Sequence, residues 1–277
     1  MPLPGRELPA TLPSDIDETV ARALAEDIGP GDLTAGRAAI VARQTAVLCG
    51  TAWVEAVFRA LDPQVRVEWH TGDGSSLAPD QVICDVHGRA HALLTGERTA
   101  LNFLQTLSGT ATAARRYVGA VAGTQARILD TRKTLPGLRA AQKYAVRCGG
   151  AVNHRAGLYD GILIKENHIM VFGSIPRAVA RTRARSPGAL VEVEVENVAE
   201  LREALEAGAD LCLLDNFTLE RLHEAVRLNR GRARLEASGN VTLETVRAIA
   251  ETGVDYISVG AITKDVAAVD LSMRFRN

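Results

Sequence analysis

The chain has 277 residues, 47% of them apolar, and a formal net charge of −1 at pH 7. This is enough apolar material for one large core or two modest ones. Near-neutrality excludes a global field for nucleic acid or an anionic membrane, so any anion site must be local. No run reaches the roughly 18 apolar residues that span a bilayer. The start of the chain, with Pro2, Pro4, Glu7 and Pro9, lacks the basic and apolar regions of a signal peptide. Cys49, Cys84, Cys148 and Cys212 form no CxxC, so neither a zinc cage nor a disulfide framework is expected, and a reducing cytoplasm is the expected setting.

In chain order, residues 14–29 read as a first helix, capped by Ser14 or Asp15 and stopped by Gly29 and Pro30. Residues 46–95 read as strand-rich, with alternation over 65–69, a turn at Gly72-Asp73-Gly74-Ser75 and short apolar runs over 82–94. Residues 97–122 read as helical, because Leu101, Leu104, Leu107 and Ala111 recur at helical spacing. From about 126 the pattern changes to short apolar runs alternating with amphipathic helices. The runs are Ile128-Leu129, Ile162-Leu163-Ile164, 191–195, 211–214, Leu235 and 256–259; the clearest helices are 198–207, 219–228 and 242–252, with Gly208, Gly231 and Gly253 at their ends. Repeated β-α units with right-handed crossovers predict a parallel sheet.

Nearly every predicted strand ends in a charged or hydroxyl residue or a glycine turn: Asp130, Lys165, Glu194, Asp215, Ser238 and Gly260. In a closed barrel the strand carboxyl ends converge on one mouth, whereas an open sheet serves a ligand only near its switch point. The residues therefore favour an α/β barrel preceded by a small α+β unit. Six strands are countable; composition does not say whether a seventh or eighth closes the ring.

Lysine occurs only at 133, 143, 165 and 264 in a chain rich in arginine. Such a bias is usually genomic, yet a lysine kept against it is a candidate for a task that needs a primary amine. Lys133 and Lys165 fall in the densest cation cluster, with Arg132, His154 and Arg155, and Arg98 lies upstream in Gly-Glu-Arg-Thr. Lys165 ends an otherwise apolar strand and is costly there unless it faces an anion or a carboxylate. The plain alternative is a set of solvated or ion-paired structural cations. Glu192 and Glu194, two apart on one strand, share a face, and the barrel interior near the mouth is the better-solvated choice for both. Glu194 with Asp215 suits a hydrated hard cation, Mg²⁺, bridging to a phosphate; the same acids could instead pair with the lysines. The blocks Glu236-Ala237-Ser238-Gly239-Asn240 and Ser258-Val259-Gly260-Ala261 each follow a strand and suit a phosphate monoester, although tight turns use glycine for their own reasons. No GxxxxGK[ST] is present, so a P-loop is not expected.

The blocks Gly96-Glu97-Arg98-Thr99-Ala100-Leu101-Asn102, Asp130-Thr131-Arg132-Lys133-Thr134, Asn153-His154-Arg155, Leu163-Ile164-Lys165-Glu166-Asn167-His168, Glu192-Val193-Glu194-Val195, Leu214-Asp215-Asn216 and Glu236-Ala237-Ser238-Gly239-Asn240 resemble the quinolinate phosphoribosyltransferase family, also called nicotinate-nucleotide pyrophosphorylase (carboxylating). The similarity runs from Glu26-Asp27-Ile28-Gly29 nearly to the C-terminus. It implies an N-terminal α/β sandwich over 1–110, joined by about 268–277, and a type II phosphoribosyltransferase-like α/β barrel, seven-stranded, over 111–267. It implies Mg²⁺, 5-phosphoribosyl 1-pyrophosphate and quinolinate as ligands, and at least a homodimer in which Arg98 serves the neighbour's site. The quinolinate residues it implies are Arg98, Thr131, Arg132, Lys133, His154, Arg155 and Lys165. The phosphoribosyl pyrophosphate residues are Lys133, Glu194, Asp215, Ser238, Gly239, Asn240, Val259, Gly260 and Ala261, with Lys165, Glu194 and Asp215 catalytic and Glu194 and Asp215 toward the metal. Asn240 stands where some relatives carry glycine.

The competing readings are a related transferase acting on a monocarboxylate such as nicotinate, a molybdenum-associated paralogue, a non-catalytic phosphosugar-binding barrel, and a Schiff-base barrel enzyme using Lys165. A clamp for two carboxylates favours quinolinate, and the paired acids weigh against a non-catalytic barrel.

Overall fold

The computed structural model describes residues 12–27 and 35–276. In chain order the elements are α1 (Ile16–Asp27), β1 (Ala35–Ala42), β2 (Ala46–Val47), α2 (Thr51–Leu61), β3 (Arg66–Trp69), β4 (Ser76–Leu77), β5 (Val82–Arg89) and α3 (Ala90–Ala120). There follow β6 (Arg127–Leu129), α4 (Arg139–Cys148), β7 (Ile162–Ile164), α5 (Glu166–Phe172), α6 (Ile175–Arg185), β8 (Val191–Val195), α7 (Val198–Glu206), β9 (Leu211–Asp215) and α8 (Leu219–Asn229). The chain ends with β10 (Arg234–Ser238), α9 (Val246–Glu251), β11 (Tyr256–Ser258), α10 (Ala261–Lys264) and β12 (Leu271–Arg276). The described residues fall into two compact units, one comprising 116–132 and 151–261, the other 12–27, 35–115, 133–150 and 262–276.

The second unit is built on an antiparallel sheet of order β12-β1-β5-β3, with a small β2-β4 ribbon. The last strand pairs with the first, Met273 opposite Ile40. Its core gathers Trp53, Phe58, Leu48, Leu93, Leu104 and Leu107, all fully buried. The sequence pattern reads 46–95 as strands, yet 51–61 is helical. Trp53, Val54, Val57 and Phe58 have side chains that favour strands, but on a helix they form one apolar stripe, and burial of that stripe overrides the local preference. The alanine-rich β1 gives no strand signal of its own and is held by partners on both edges. α3 starts at Ala90 rather than 97. The stop expected for α1 at Gly29 and Pro30 lies outside the described residues. α4 belongs to this unit: Ala141 and Ala145 enter the same core, and buried Gln142 donates to Thr110 Oγ1 (3.2 Å) and the Thr263 carbonyl (2.9 Å).

The other unit carries six parallel strands in the order β6-β11-β10-β9-β8-β7. Val152 adds a single parallel bridge beside Leu129, at the outer edge of β6. The sheet is thus barrel-like, six strands with a seventh position marked by that bridge. The expected strands appear at their expected places. Three of the helices between them start on side-chain caps: Ser174 accepts from the Arg177 N–H, Asn197 from Glu200 and Thr218 from Arg221. Gly208, Gly231 and Gly253 take the left-handed conformation just past α7, α8 and α9. Because all six strands run the same way, their carboxyl ends lie along one edge. Among the described residues no helix is long and apolar enough to cross a membrane.

Candidate active site

The strand ends hold most of the polar residues singled out in the sequence. Asp130 directly follows β6 and is fully buried; its two oxygens accept from the His154 backbone N–H (2.7 Å) and from Asn153 Nδ2 (2.7 Å). This buried carboxylate fixes the segment that presents His154 and Arg155 and answers the cost of its own burial with charge-assisted hydrogen bonds.

His154 is buried between two glutamates, its Nε2 3.3 Å from Glu192 and 3.5 Å from Glu236. Its Nδ1 accepts the Arg155 N–H at 2.7 Å, which places the ring hydrogen on Nε2, facing the acids. Burial disfavours the charged ring, but the two glutamates outweigh it and draw the pKa up to about 10. The Arg155 amide opposes that pull, because an imidazolium would set N–H against N–H. Glu192 is pushed up to about 7, first by burial and then by the charge of Glu236, against the hydrogen bond from His154. Ser258 donates a short hydrogen bond to Glu236 Oε1. Glu192 and Glu194 do share the inner face, as their spacing predicts. Glu236 carries no role of its own in the sequence, where it reads only as the start of a glycine-containing block.

Nearer the edge, Lys165 caps α5 and its Nζ lies 2.5 Å from Glu194 Oε2. Lys165 remains half-exposed, whereas Glu194 is mostly covered, at 19%. Arg155 is buried and donates to the Gly161 carbonyl (3.1 Å). Its pKa is lowered, first by burial and then by the charge of Arg132, while Glu192, Asp160 and Glu194 oppose the shift. Thr131 is half-buried and Arg132 exposed, immediately past β6. Lys133, also exposed, begins the stretch that belongs to the antiparallel unit, where its carbonyl accepts from Thr263 Oγ1 (2.8 Å). Arg98 lies in that unit too, exposed on α3 one turn from exposed Leu94.

Asp215 closes β9 opposite Ser238, the last residue of β10. Asn216 donates to the Asp215 carboxylate (2.9 Å), and Asn240 Nδ2 donates to Asn216 Oδ1 (3.2 Å). Asn216, Gly239 and Asn240 all have positive φ. A side chain at Gly239 would collide with Asn216, so glycine is required there by space as well as by backbone conformation. Turns of this kind expose backbone N–H groups in a concave array suited to phosphate. Val259 is tied by its N–H to the Leu129 carbonyl (2.9 Å), Gly260 follows half-buried, and Ala261 opens α10.

A parallel barrel-like sheet with paired acids, a lysine and phosphate-suited turns along its carboxyl edge defines an anion-handling α/β-barrel protein. The comparisons with known proteins specify it further. Residues 21–108 match the N-terminal domain of quinolinate phosphoribosyl transferase, and residues 110–274 match its C-terminal domain. The chain is 45% identical over 258 residues to a probable nicotinate-nucleotide pyrophosphorylase (carboxylating) of Bacillus subtilis, covering 90% of this chain and 89% of that protein. It is 42% identical to the nicotinate-nucleotide pyrophosphorylase (carboxylating) of Mycobacterium leprae, covering 92% and 95%. The solved nicotinate-nucleotide pyrophosphorylase of Francisella tularensis superposes with a TM-score of 0.95 at 43% identity, over 98% of this chain and all of that one. The chain belongs to the quinolinate phosphoribosyl transferase family.

Proposed function

We propose that this chain transfers the phosphoribosyl group of 5-phosphoribosyl 1-pyrophosphate to the ring nitrogen of quinolinate. Pyrophosphate leaves as the nitrogen–carbon bond forms, and loss of CO₂ then gives nicotinate mononucleotide for NAD biosynthesis. The observation that carries this reading is the Lys165–Glu194 pair at the strand ends of a chain matched by both family domains.

Quinolinate carries two carboxylates and a weakly nucleophilic pyridine nitrogen. Arg132 and Arg155 would clamp the carboxylates, with Thr131, Lys133, His154 and Lys165 completing the pocket and orienting the ring toward the anomeric carbon. The position of Arg132 just past β6 and the anchoring of Arg155 on the Gly161 carbonyl support this role. Lys165 would hold negative charge, and Glu194 with Asp215 would stabilise the oxocarbenium-like sugar. Ser238, Gly239, Asn240, Val259, Gly260 and Ala261 would receive the 5-phosphate through backbone N–H groups.

Glu194 and Asp215 are partly exposed oxygen donors at adjacent strand ends, which fits a hydrated Mg²⁺. The His154, Glu192 and Glu236 set, although within 4.8 Å of one another, is buried, and its His154 Nε2 already faces both acids, so it suits a hydrated ion less well. A bound Mg²⁺ supplies charge neutralisation at the pyrophosphate.

The working assembly is a homodimer or higher in the cytoplasm, with Arg98 lent to the neighbour's site. Exposed Leu94 and Arg98 on one helical face support that part. Mixing Arg98→Ala with Arg132→Ala should restore activity by subunit exchange, and no recovery despite verified exchange would refute the shared site. For the reaction itself, purified protein with phosphoribosyl pyrophosphate and Mg²⁺ should release pyrophosphate with quinolinate. Release with nicotinate alone would refute the assignment.

A further inference from the structure

Away from these strand ends, the antiparallel unit brings together two cysteines that are 99 positions apart in sequence. Cys49 precedes α2 and is fully buried; Cys148 is the last residue of α4 and is half-buried. Their sulfur atoms and a carboxylate oxygen of Asp73 lie within 4.8 Å of one another. Both backbones are anchored. Cys49 exchanges hydrogen bonds with Ser108 Oγ, its N–H at 3.0 Å and its carbonyl at 3.2 Å. The Cys148 carbonyl accepts from Arg115 (3.2 Å), which also grips the Gly149 and Gly74 carbonyls. Asp73 is committed to the N-terminus of α2, accepting from the Gly50 and Thr51 N–H groups at 3.0 and 3.2 Å, and from Tyr144 Oη at 2.9 Å.

The two thiols are chemically unequal. The Cys49 thiol hydrogen-bonds to Cys148, and this contact is the main cause of a lowered Cys148 pKa; Tyr144 and Arg147 assist, while burial and Asp73 oppose. Burial raises Cys49 well above the usual thiol range. Cys84 and Cys212 are buried and are pushed up to about 12. Cys148 is therefore the accessible, thiolate-prone sulfur, with a protonated thiol waiting beside it. That is the arrangement of an attacking and a resolving cysteine. A metal reading is weaker, since three ligands are on hand and Asp73 already accepts three hydrogen bonds.

We propose that Cys148 is an oxidation site for hydrogen peroxide and that Cys49 resolves it to a disulfide. The Cys148 thiolate attacks one peroxide oxygen and the O–O bond breaks. Hydroxide leaves and takes a proton, giving water and a Cys148 sulfenic acid. The Cys49 sulfur then attacks the Cys148 sulfur; the S–O bond breaks, and the Cys49 proton leaves with the hydroxide as a second water. Two thiols are oxidised by two electrons and one peroxide is reduced to two waters.

The test uses the full-length protein and hydrogen peroxide. Native iodoacetamide labelling should modify Cys148 about tenfold faster than the other cysteines, as expected for the only thiol with appreciable thiolate. After peroxide, non-reducing peptide maps should show a 49–148 cross-link that dithiothreitol reverses. The variant Cys49→Ser should stop at a Cys148 sulfenic acid, trapped by dimedone, and Cys148→Ser should leave Cys49 reduced. Equal labelling of all four thiols, over-oxidation of Cys148 without a cross-link in the unsubstituted protein, or stoichiometric zinc that shields both thiols would overturn the proposal.

Discussion

The two units hold their polar residues in opposite ways. In the antiparallel unit the centre is apolar, around Trp53, Phe58 and Leu104, and the buried Asp85 carboxylate is met on the sheet by the partly exposed side chains of His70, Arg37 and Arg276. In the parallel unit, charge runs into the interior: Asp130, His154, Glu192 and Glu236 are all buried below the strand ends. Burying four titratable groups costs stability that an apolar core would not, and a fold accepts that cost where chemistry needs preorganised charge. The first unit therefore looks like a device for stability and the second like one for catalysis, and substitutions can separate the two.

The largest separation is expected at Lys165 and Glu194. Each →Ala variant should lower kcat/KM by about 10³-fold or more, on the order of 4 kcal/mol in the transition state, while thermal unfolding stays nearly unchanged. Full activity in both would mean the site lies elsewhere. His154→Ala comes next and should lower both activity and stability, weakening quinolinate binding and destabilising the fold by about 3–5 kcal/mol because Glu192 and Glu236 lose their shared partner. Calorimetry showing no change would contradict the buried triad.

A smaller effect is expected at Gly239→Ala. Positive φ and the nearby Asn216 should cost about 1–2 kcal/mol, and the displaced turn should raise the KM for phosphoribosyl pyrophosphate about tenfold with little change for quinolinate. An equal rise for both substrates would remove the turn from phosphate binding. The smallest effect belongs to the antiparallel sheet. The hydrogen bond from His70 lowers the Asp85 pKa, against burial, with help from Arg276 and Arg37. A lowered carboxylate pKa contributes stability that is present at neutral pH and is lost as pH falls below the usual value of about 4. Asp85→Asn should thus cost about 1.5 kcal/mol at pH 7, and the gap to the unsubstituted protein should close in acid. A gap that persists at low pH would contradict the ionised cluster.

The two units also differed in how much the sequence revealed. The parallel strands announced themselves because each is a short apolar run ending in a residue that apolar burial cannot explain, such as Lys165 after Gly161-Ile162-Leu163-Ile164 or Asp215 after Leu213-Leu214. The antiparallel unit did not. α2 is written in strand-favouring side chains, β1 in alanine, and nothing in the sequence at 133 or 150 signals that α4 joins that core. Those features depend on partners far away in the chain. Within the candidate site the edge residues were legible from spacing, but the buried support was not: that Asp130 holds the His154 segment, and that Glu236 joins Glu192 around the ring, are facts of packing.

The central claim is the chemistry at the strand ends, and the most direct test follows CO₂. With phosphoribosyl pyrophosphate and Mg²⁺ present, quinolinate labelled in the carboxylate adjacent to the ring nitrogen should release labelled CO₂ in step with pyrophosphate, and Lys165→Ala should abolish both. Pyrophosphate release without CO₂, or CO₂ release that survives Lys165→Ala, would contradict the account.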